Sequence, residues 1–111
     1  MKSRELHSYI TIKYNGHSYA GHSTVFGGVS LDLRKKRDVE LDMDEKNFTV
    51  GAGYQWGYVY GTLINGRHNG FIVNGGRCPT VGVNGFILEG GLSPFTRSFG
   101  LGCDTLTEAK L

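Results

Sequence analysis

Apolar and polar residues alternate in several short runs along the first half of the chain. A period of two is typical of a strand that buries one of its faces. The runs predict four strands, at residues 9–13, 29–33, 39–41 and 48–52, and the second and third are expected to be half buried. Polar residues between the last two runs favour a turn around residues 44–46, so these two strands are expected to form an antiparallel hairpin.

The period of the apolar residues changes to that of an α-helix after Gly53. One face of the predicted helix carries five apolar side chains at helical spacing, namely Trp56, Val59, Tyr60, Leu63 and Ile64. Asn65 followed by Gly66 is typical of a helix end. Gly53, Gly57 and Gly61 form a second stripe, although a glycine inside a helix costs about 0.5–1 kcal/mol relative to alanine. The stripe therefore predicts either simple close packing or the close approach of a sheet, a helix or a ligand.

The last third of the chain has weaker periodicity. A short strand is predicted at residues 71–73 and a short helix at 93–99, with Ser93 as its cap and Pro94 at its first position. Residues 75–91 are rich in glycine and small side chains, so this segment is expected to be a loop. Residues 1–7 look like the last turn of a helix and 106–111 like the start of an apolar segment, so we expect the chain to be part of a larger protein.

Composition narrows the class of protein. Glycine supplies 18 of the 111 residues, yet two prolines and 39% hydrophobic residues exclude a collagen-like or disordered chain. The net charge of +2 is too small to indicate nucleic acid, and the basic run at residues 34–37 is followed at once by Asp38 and Glu40, as in a solvated strand end. No segment approaches the roughly 18 apolar residues of a membrane span. We expect neither a nucleic-acid nor a membrane partner.

Two glycine-containing loops carry the candidate chemistry. The loop at residues 75–91 holds Cys78 beside Arg77, a cation that would favour the nucleophilic thiolate, and the loop at 15–23 holds His17. Glycine-rich backbone can direct its amides at one point and lets a pyrophosphate approach closely. The two loops are therefore expected to hold one dinucleotide cofactor between them, although neither fits the P-loop or Rossmann motif.

Each of these residues also has a purely structural interpretation. His17 could simply hydrogen-bond the backbone, and Cys78 could be an inert core residue. Cys103 is interpreted as structural, and a disulfide between Cys103 and Cys78 would favour a small glycine-rich β protein. The two cysteines show no zinc-binding spacing, and His17 and His22 are only a weak hint of a metal. No metal site is predicted.

Five motifs, which span residues 9–106, resemble one known family: GHSYAG, GAGYQWGYVYGTL, GGRCPTVGVNGF, GGLSPFTR and FGLGCDTL. In this order and spacing they are similar to the berberine bridge enzyme-like branch of the vanillyl-alcohol oxidase flavoprotein family. The resemblance implies an α+β fold, the p-cresol methylhydroxylase type of FAD-binding domain, of which residues 1–111 would be a part. The substrate domain, with its catalytic tyrosine, would lie outside this chain, so no catalytic residue is assigned here.

The resemblance also implies a site. In the family, the histidine of the GHS motif is bonded to the flavin 8α carbon and the cysteine of the CPTVG motif to flavin C6; these positions are His17 and Cys78. Val81, three residues after the cysteine, implies oxidase behaviour. The other residues expected to bind FAD are Asn15, Gly16, Ser18, Tyr19, Ala20, Gly21, Thr80, Gly82 and Gly85.

Two covalent bonds would raise the flavin's reduction potential. The implied reaction is hydride transfer from an alcohol, sugar or amine-type carbon of a small-molecule substrate, with oxygen as the acceptor. The family's frequent secretion implies an extracellular origin.

The chain departs from the family pattern at several positions. Asn15 stands where a glycine usually precedes the Gly-His pair, and asparagine tolerates left-handed backbone. Asn84 and Glu89 also replace glycines, and Glu89 must point away from a pyrophosphate or impair the site. Phe86 stands where plant members have a histidine near the flavin. These departures leave an alternative, a noncatalytic remnant or binding module that keeps the fold without activity.

Overall fold

The computed structural model describes residues 8–68 and 70–110, and the predicted helix end at residues 1–7 lies outside them. Two small sheets are followed by three helices and a 3₁₀ turn. The elements are β1 (Ile10–Lys13), β2 (Val29–Asp32), β3 (Val39–Asp42), β4 (Asn47–Val50), α1 (Trp56–Asn65), α2 (Val83–Leu88), α3 (Thr96–Phe99) and the 3₁₀ turn (Gly102–Thr105). The predicted mixture of helices and strands is confirmed.

Strands β1 and β2 pair in parallel, with Ile10 beside Val29. A parallel pair needs a crossover that returns the chain to the same end of the sheet. Here the crossover is the loop that contains His17. The crossover ends at Gly28. The Val29 amide donates a hydrogen bond of 2.8 Å to the carbonyl of Tyr9, and this carbonyl lies so close to Gly28 that a Cβ atom there would collide with it. The sheet therefore anchors both ends of the histidine loop.

The half-buried position predicted for the second strand is wrong. Val29 is 57% exposed and Leu31 is 49% exposed. Both apolar side chains lie open because no other described element covers this pair of strands extensively. Parallel sheets are normally covered on both faces. The exposed faces of β1 and β2 are thus atypical of a complete parallel sheet.

The predicted hairpin is confirmed. Strands β3 and β4 are antiparallel, with Val39 beside Val50. The Asp42 carboxylate accepts hydrogen bonds from the amides of Asp44 and Glu45, at 3.0 and 3.1 Å, which fixes the turn as aspartate commonly does. After the hairpin, the chain passes close to the segment that follows β2 and then enters α1.

Helix α1 is confirmed with the predicted end, and it holds the buried core of the described residues. Trp56, Val59 and Leu63 are 2%, 0% and 8% exposed, whereas Ile64, predicted on the same face, is 73% exposed. The Trp56 ring packs edge-on against Phe86 of α2, with 5.0 Å between ring centroids. Burying one such side chain contributes about 1.5–3 kcal/mol. This contact fixes α1 against the cysteine-containing segment.

Three predictions for the last third of the chain need correction. Residues 71–73 form no strand, and residues 75–91 are not entirely loop, because α2 occupies Val83–Leu88. The predicted helix at 93–99 begins only at Thr96. The Ser93 hydroxyl still accepts a hydrogen bond of 2.9 Å from the amide of Phe95, and it also bonds the side chain of Asn74. Ser93 therefore orders the turn before the helix rather than its first position.

Across residues 8–68 and 70–110, every helix is too short or too polar to cross a bilayer.

Candidate functional site

The cysteine loop, which is the part of residues 75–91 that precedes α2, packs on the first turn of α1. The amides of Trp56 and Gly57 donate hydrogen bonds of 3.1 and 2.9 Å to the carbonyls of Val81 and Pro79. First-turn amides lack partners within their own helix, so the loop satisfies two of them. These bonds fix the backbone on both sides of Thr80.

The three glycines of the stripe have different surroundings. A Cβ atom on Gly57 would lie 2.9 Å from the Cβ of Pro79, so the stripe reflects close packing there, and the segment that packs on it is the cysteine loop rather than a sheet, a helix or a ligand. Gly53 precedes the helix and lies against the backbone of Leu33 and Arg34. A Cβ atom on Gly61, by contrast, would have no described atom within 4 Å.

The histidine loop docks onto the same place through Asn15. A Cβ atom on Gly82 would lie 3.2 Å from the Asn15 Cγ atom, so Gly82 makes room for the asparagine side chain. Asn15 does not use its tolerance of left-handed backbone; Gly16 takes that conformation, with φ of 77°. The contact between Asn15 and Gly82 joins the two candidate loops.

Three side chains meet where the loops join. The Thr80 hydroxyl lies 3.3 Å from the Sγ atom of Cys78 and 3.2 Å from the Nε2 atom of His17, a residue 63 positions away in the sequence. One oxygen atom therefore contacts both of the nucleophiles that the sequence singled out. Thr80 was expected only to bind cofactor, and its link to His17 could not be inferred from its neighbours in the chain.

The environment of Cys78 favours its thiolate. The hydrogen bond from the Thr80 hydroxyl is the main cause that lowers the pKa of the Cys78 thiol; the amides of Thr80 and Val81 add to it, and desolvation opposes it. Arg77 was expected to favour the thiolate, but it is not among these causes. Hydrogen bonds from a hydroxyl and from turn amides thus replace the predicted cation.

The interpretation of Cys78 as an inert core residue is wrong, and so is its disulfide with Cys103. Cys78 and Cys103 are both free thiols, and both are exposed. A buried, inert role for Cys78 is therefore excluded, as is the proposed disulfide. Within residues 8–68 and 70–110, no three His, Cys, Asp or Glu side chains are grouped as a metal site would need.

The remaining residues of the histidine loop form an exposed turn. The Gly21 amide donates a hydrogen bond of 3.3 Å to the Ser18 carbonyl, and the His22 amide donates one of 3.3 Å to the Ser18 hydroxyl. Tyr19 is fully exposed, and Ala20 is exposed beside it. The amides of residues 17–20 donate no hydrogen bond to any described residue. They form a run of free donors at the surface.

The positions in and next to α2 at which the chain departs from the family pattern have distinct surroundings. Phe86 packs against Trp56 and would touch Cβ atoms placed on Gly76, Gly91 or Gly102, so it belongs to the packed side of α2. Glu89 is exposed at the end of this helix. Gly85 faces open space.

Replacing Gly82 by alanine is expected to lower the free energy of unfolding by about 1–3 kcal/mol, because the new methyl group would overlap the Asn15 side chain. Adding Asn15→Gly should restore most of the loss, since it removes the overlapping atoms. Gly85→Ala is the matched control: its methyl group enters open space within α2, so the protein should gain up to about 1 kcal/mol. Denaturant unfolding of the four proteins measures these differences. Equal effects of the two alanines would contradict the docking contact.

Comparison with known proteins identifies the family of this domain. A family model described as an FAD binding domain matches residues 3–111. The FAD-dependent monooxygenase yanF of Aspergillus niger is 39% identical over 103 residues, which cover 91% of this chain and 17% of the relative. Berberine bridge enzyme-like D-2 of Nicotiana tabacum is 38% identical over 107 residues, which cover 92% of this chain and 19% of the relative.

A solved structure gives the same result. A variant of Physcomitrella patens berberine bridge enzyme-like 1 is similar with a TM-score of 0.79 and 32% identity, covering 87% of this chain and 21% of that one. The fold therefore defines an FAD-binding domain of the p-cresol methylhydroxylase type. The chain belongs to the FAD-binding domain family of FAD-linked oxidoreductases, with berberine bridge enzyme-like proteins among its relatives. It spans about a fifth of the length of the relatives it matches.

Proposed function

We propose that this chain is the FAD-binding part of a bicovalent flavoprotein oxidase, with His17 bonded to the flavin 8α carbon and Cys78 to flavin C6. The observation that carries the proposal is the Thr80 hydroxyl, which contacts both His17 Nε2 and Cys78 Sγ. Because both contacts are shorter than 3.4 Å, the nitrogen and the sulfur cannot lie far apart. The 8α methyl group and C6 belong to the same flavin ring, so a pair of nucleophiles this close fits them.

The donor groups of the histidine loop also fit a dinucleotide. The free amides of residues 17–20 lie next to His17, and an exposed run of backbone donors is suited to a pyrophosphate. The left-handed glycines at 16 and 21 set the path of this run, since such backbone is easily adopted only without a side chain. Asn15, Gly16, Ser18, Tyr19, Ala20 and Gly21 would therefore hold FAD from one side, and Thr80, Val81, Gly82 and Gly85 from the other.

When bound, FAD supplies the acceptor for a hydride from an alcohol, sugar or amine-type carbon. The chain's own part would be to fix the cofactor's position and, through Val81, to leave room for oxygen. The small-molecule substrate and the catalytic base would be handled by residues outside this chain. The oxidoreductase names of the relatives support this division, because the matched segment is their FAD-binding domain.

The proposal is tested by unfolding the purified protein in denaturant and separating it from small molecules. Yellow, fluorescent flavin is expected to remain on the polypeptide, because covalent bonds survive unfolding. If all the flavin is released, the covalent assignment is wrong and a noncovalent FAD site remains. If the folded protein carries no flavin absorbance at all, the alternative hypothesis is correct, in which the chain is a noncatalytic remnant or binding module without FAD.

A further inference from the structure

We propose that the Thr80 hydroxyl relays a proton from the Cys78 thiol to His17 Nε2, which makes Thr80 the positioning residue that prepares the thiolate for flavin attachment. The use of this thiolate rests on the proposed function, but the relay itself is a property of the flavin-free protein. The relay couples the chemistry of the two attachment residues before any cofactor arrives.

The number of hydrogens constrains the cluster. A threonine hydroxyl has one hydrogen to donate, and it can also accept. Thr80 Oγ1 lies 3.3 Å from sulfur and 3.2 Å from Nε2, so it can donate to one of them only while it accepts from the other. Two arrangements satisfy both contacts. In the first, the thiol donates to Thr80, which donates to an unprotonated Nε2; in the second, a protonated Nε2 donates to Thr80, which donates to the thiolate.

The two arrangements differ by the movement of two protons. The S–H bond of Cys78 breaks as its proton moves to Oγ1, and the original O–H bond of Thr80 breaks as its proton moves to Nε2. The hydroxyl is regenerated, the sulfur becomes a thiolate and the imidazole becomes an imidazolium. No electron is transferred and no other reactant is needed.

The surroundings of the sulfur favour the second arrangement. The Thr80 hydroxyl and the amides of Thr80 and Val81 all lower the pKa of the Cys78 thiol, which is the effect expected of donors to a thiolate. The titratable or charged groups next to the sulfur are His17, reached through Thr80, and Arg77, its neighbour in the chain. Because the Thr80 hydroxyl lies 3.2 Å from His17 Nε2, His17 is the group placed to take the proton.

The relay is held in position from below. Pro79 and Val81, on either side of Thr80, are hydrogen-bonded to the first two amides of α1. The turn is closed by the Val81 amide, which donates to the Cys78 carbonyl at 3.3 Å. All three members of the relay are exposed, so reagents and cofactor can reach the sulfur.

The test is alkylation of Cys78 by iodoacetamide in protein produced under riboflavin limitation. Trypsin separates the two cysteines into peptides 78–97 and 98–110, so mass spectrometry measures both rates in one sample. Cys103 is exposed and lies away from any threonine contact of this kind, so its rate is the internal reference for changes in folding. Thr49→Val, at an exposed position of β4, is the matched control.

Thr80→Val should slow alkylation of Cys78 relative to Cys103 about three- to tenfold at neutral pH, the range that corresponds to one typical net hydrogen bond. The slowing should disappear at high pH, where the thiol ionises without help. Thr80→Ser should restore the rate, and Thr49→Val should leave it unchanged. His17→Ala should also slow it, and the double variant Thr80→Val with His17→Ala should be no slower than the worse single one, because both act on one relay.

The relay is refuted if Thr80→Val leaves the ratio unchanged, if it slows alkylation equally at all pH values, or if the effects of Thr80 and His17 simply add. These outcomes are separate from a failure of the proposed function. Flavin that is released from the unfolded holoprotein would overturn covalent attachment, while the alkylation rates of the flavin-free protein would still decide the relay.

Discussion

Replacing His17 and Cys78 together by alanine is expected to release all of the flavin when the protein is unfolded, whereas either replacement alone should leave the flavin attached through the remaining bond. The imidazole nitrogen and the thiolate are the two nucleophiles that the loops bring together at Thr80. Without both of them, the loops can bind FAD only through noncovalent contacts. The flavin that stays on the denatured polypeptide, measured by its absorbance, separates these cases.

Controls for this series come from the same chain. His22→Ala removes an exposed histidine of the same loop, and Cys103→Ala removes the other exposed thiol. Both variants should keep the flavin bound as in the unchanged protein. The assignment would be contradicted if the double variant retained flavin, or if one single replacement released all of it. In His17→Ala, attachment at Cys78 should be slower because its proton acceptor is gone.

Alanine at Gly57 is expected to lower the free energy of unfolding by about 1–3 kcal/mol, while alanine at Gly61 should raise it by about 0.5–1 kcal/mol. The two glycines lie one turn apart on α1. A methyl group at Gly57 would press on the Cβ and carbonyl oxygen of Pro79, at 2.9 and 3.1 Å, and push the cysteine loop off the helix. At Gly61 the methyl group meets no described atom within 4 Å, so only the gain in helix propensity remains.

Unfolding in denaturant gives the two free energies, and covalent flavin content gives the effect on the site. Gly57→Ala should also lower the fraction of molecules with flavin on Cys78, because displacement of Pro79 moves the neighbouring thiol away from Thr80. Gly61→Ala should leave this fraction unchanged. Equal stability changes at the two positions would show that the loop does not need the bare backbone at Gly57.

Local pattern was enough to predict much of the fold. The apolar spacing from Trp56 to Leu63 predicted α1 and its buried face, and the polar turn near Asp44 predicted the hairpin. Helix α2 was missed because it is less than two turns long and contains Gly85, so glycine outweighed the weak helical signal of Val83 and Phe86. The parallel pairing of β1 with β2 joins residues that are distant in the sequence, and the residues of neither strand indicate it.

The candidate site was predicted only in part for the same reason. The motifs singled out His17 and Cys78, but the residue that connects them is Thr80, and this contact spans 63 positions of sequence. Arg77 was assigned an activating role because it precedes Cys78, although adjacency in the chain does not place a side chain beside a sulfur atom. Likewise, Asn15 was considered for its backbone conformation, whereas its side chain is what fits against Gly82.

The seating of the cysteine loop on α1 has a consequence for the order of folding. The loop, the helix and the histidine loop come from three separate parts of the chain, so the cluster at Thr80 forms only after these long-range contacts have closed. A molecule in which either loop is undocked could acquire one bond to flavin but not both. The fraction of molecules with both flavin bonds would then measure the fraction in which this domain has folded correctly. Because the bonds are covalent, this measure would persist after the protein is unfolded.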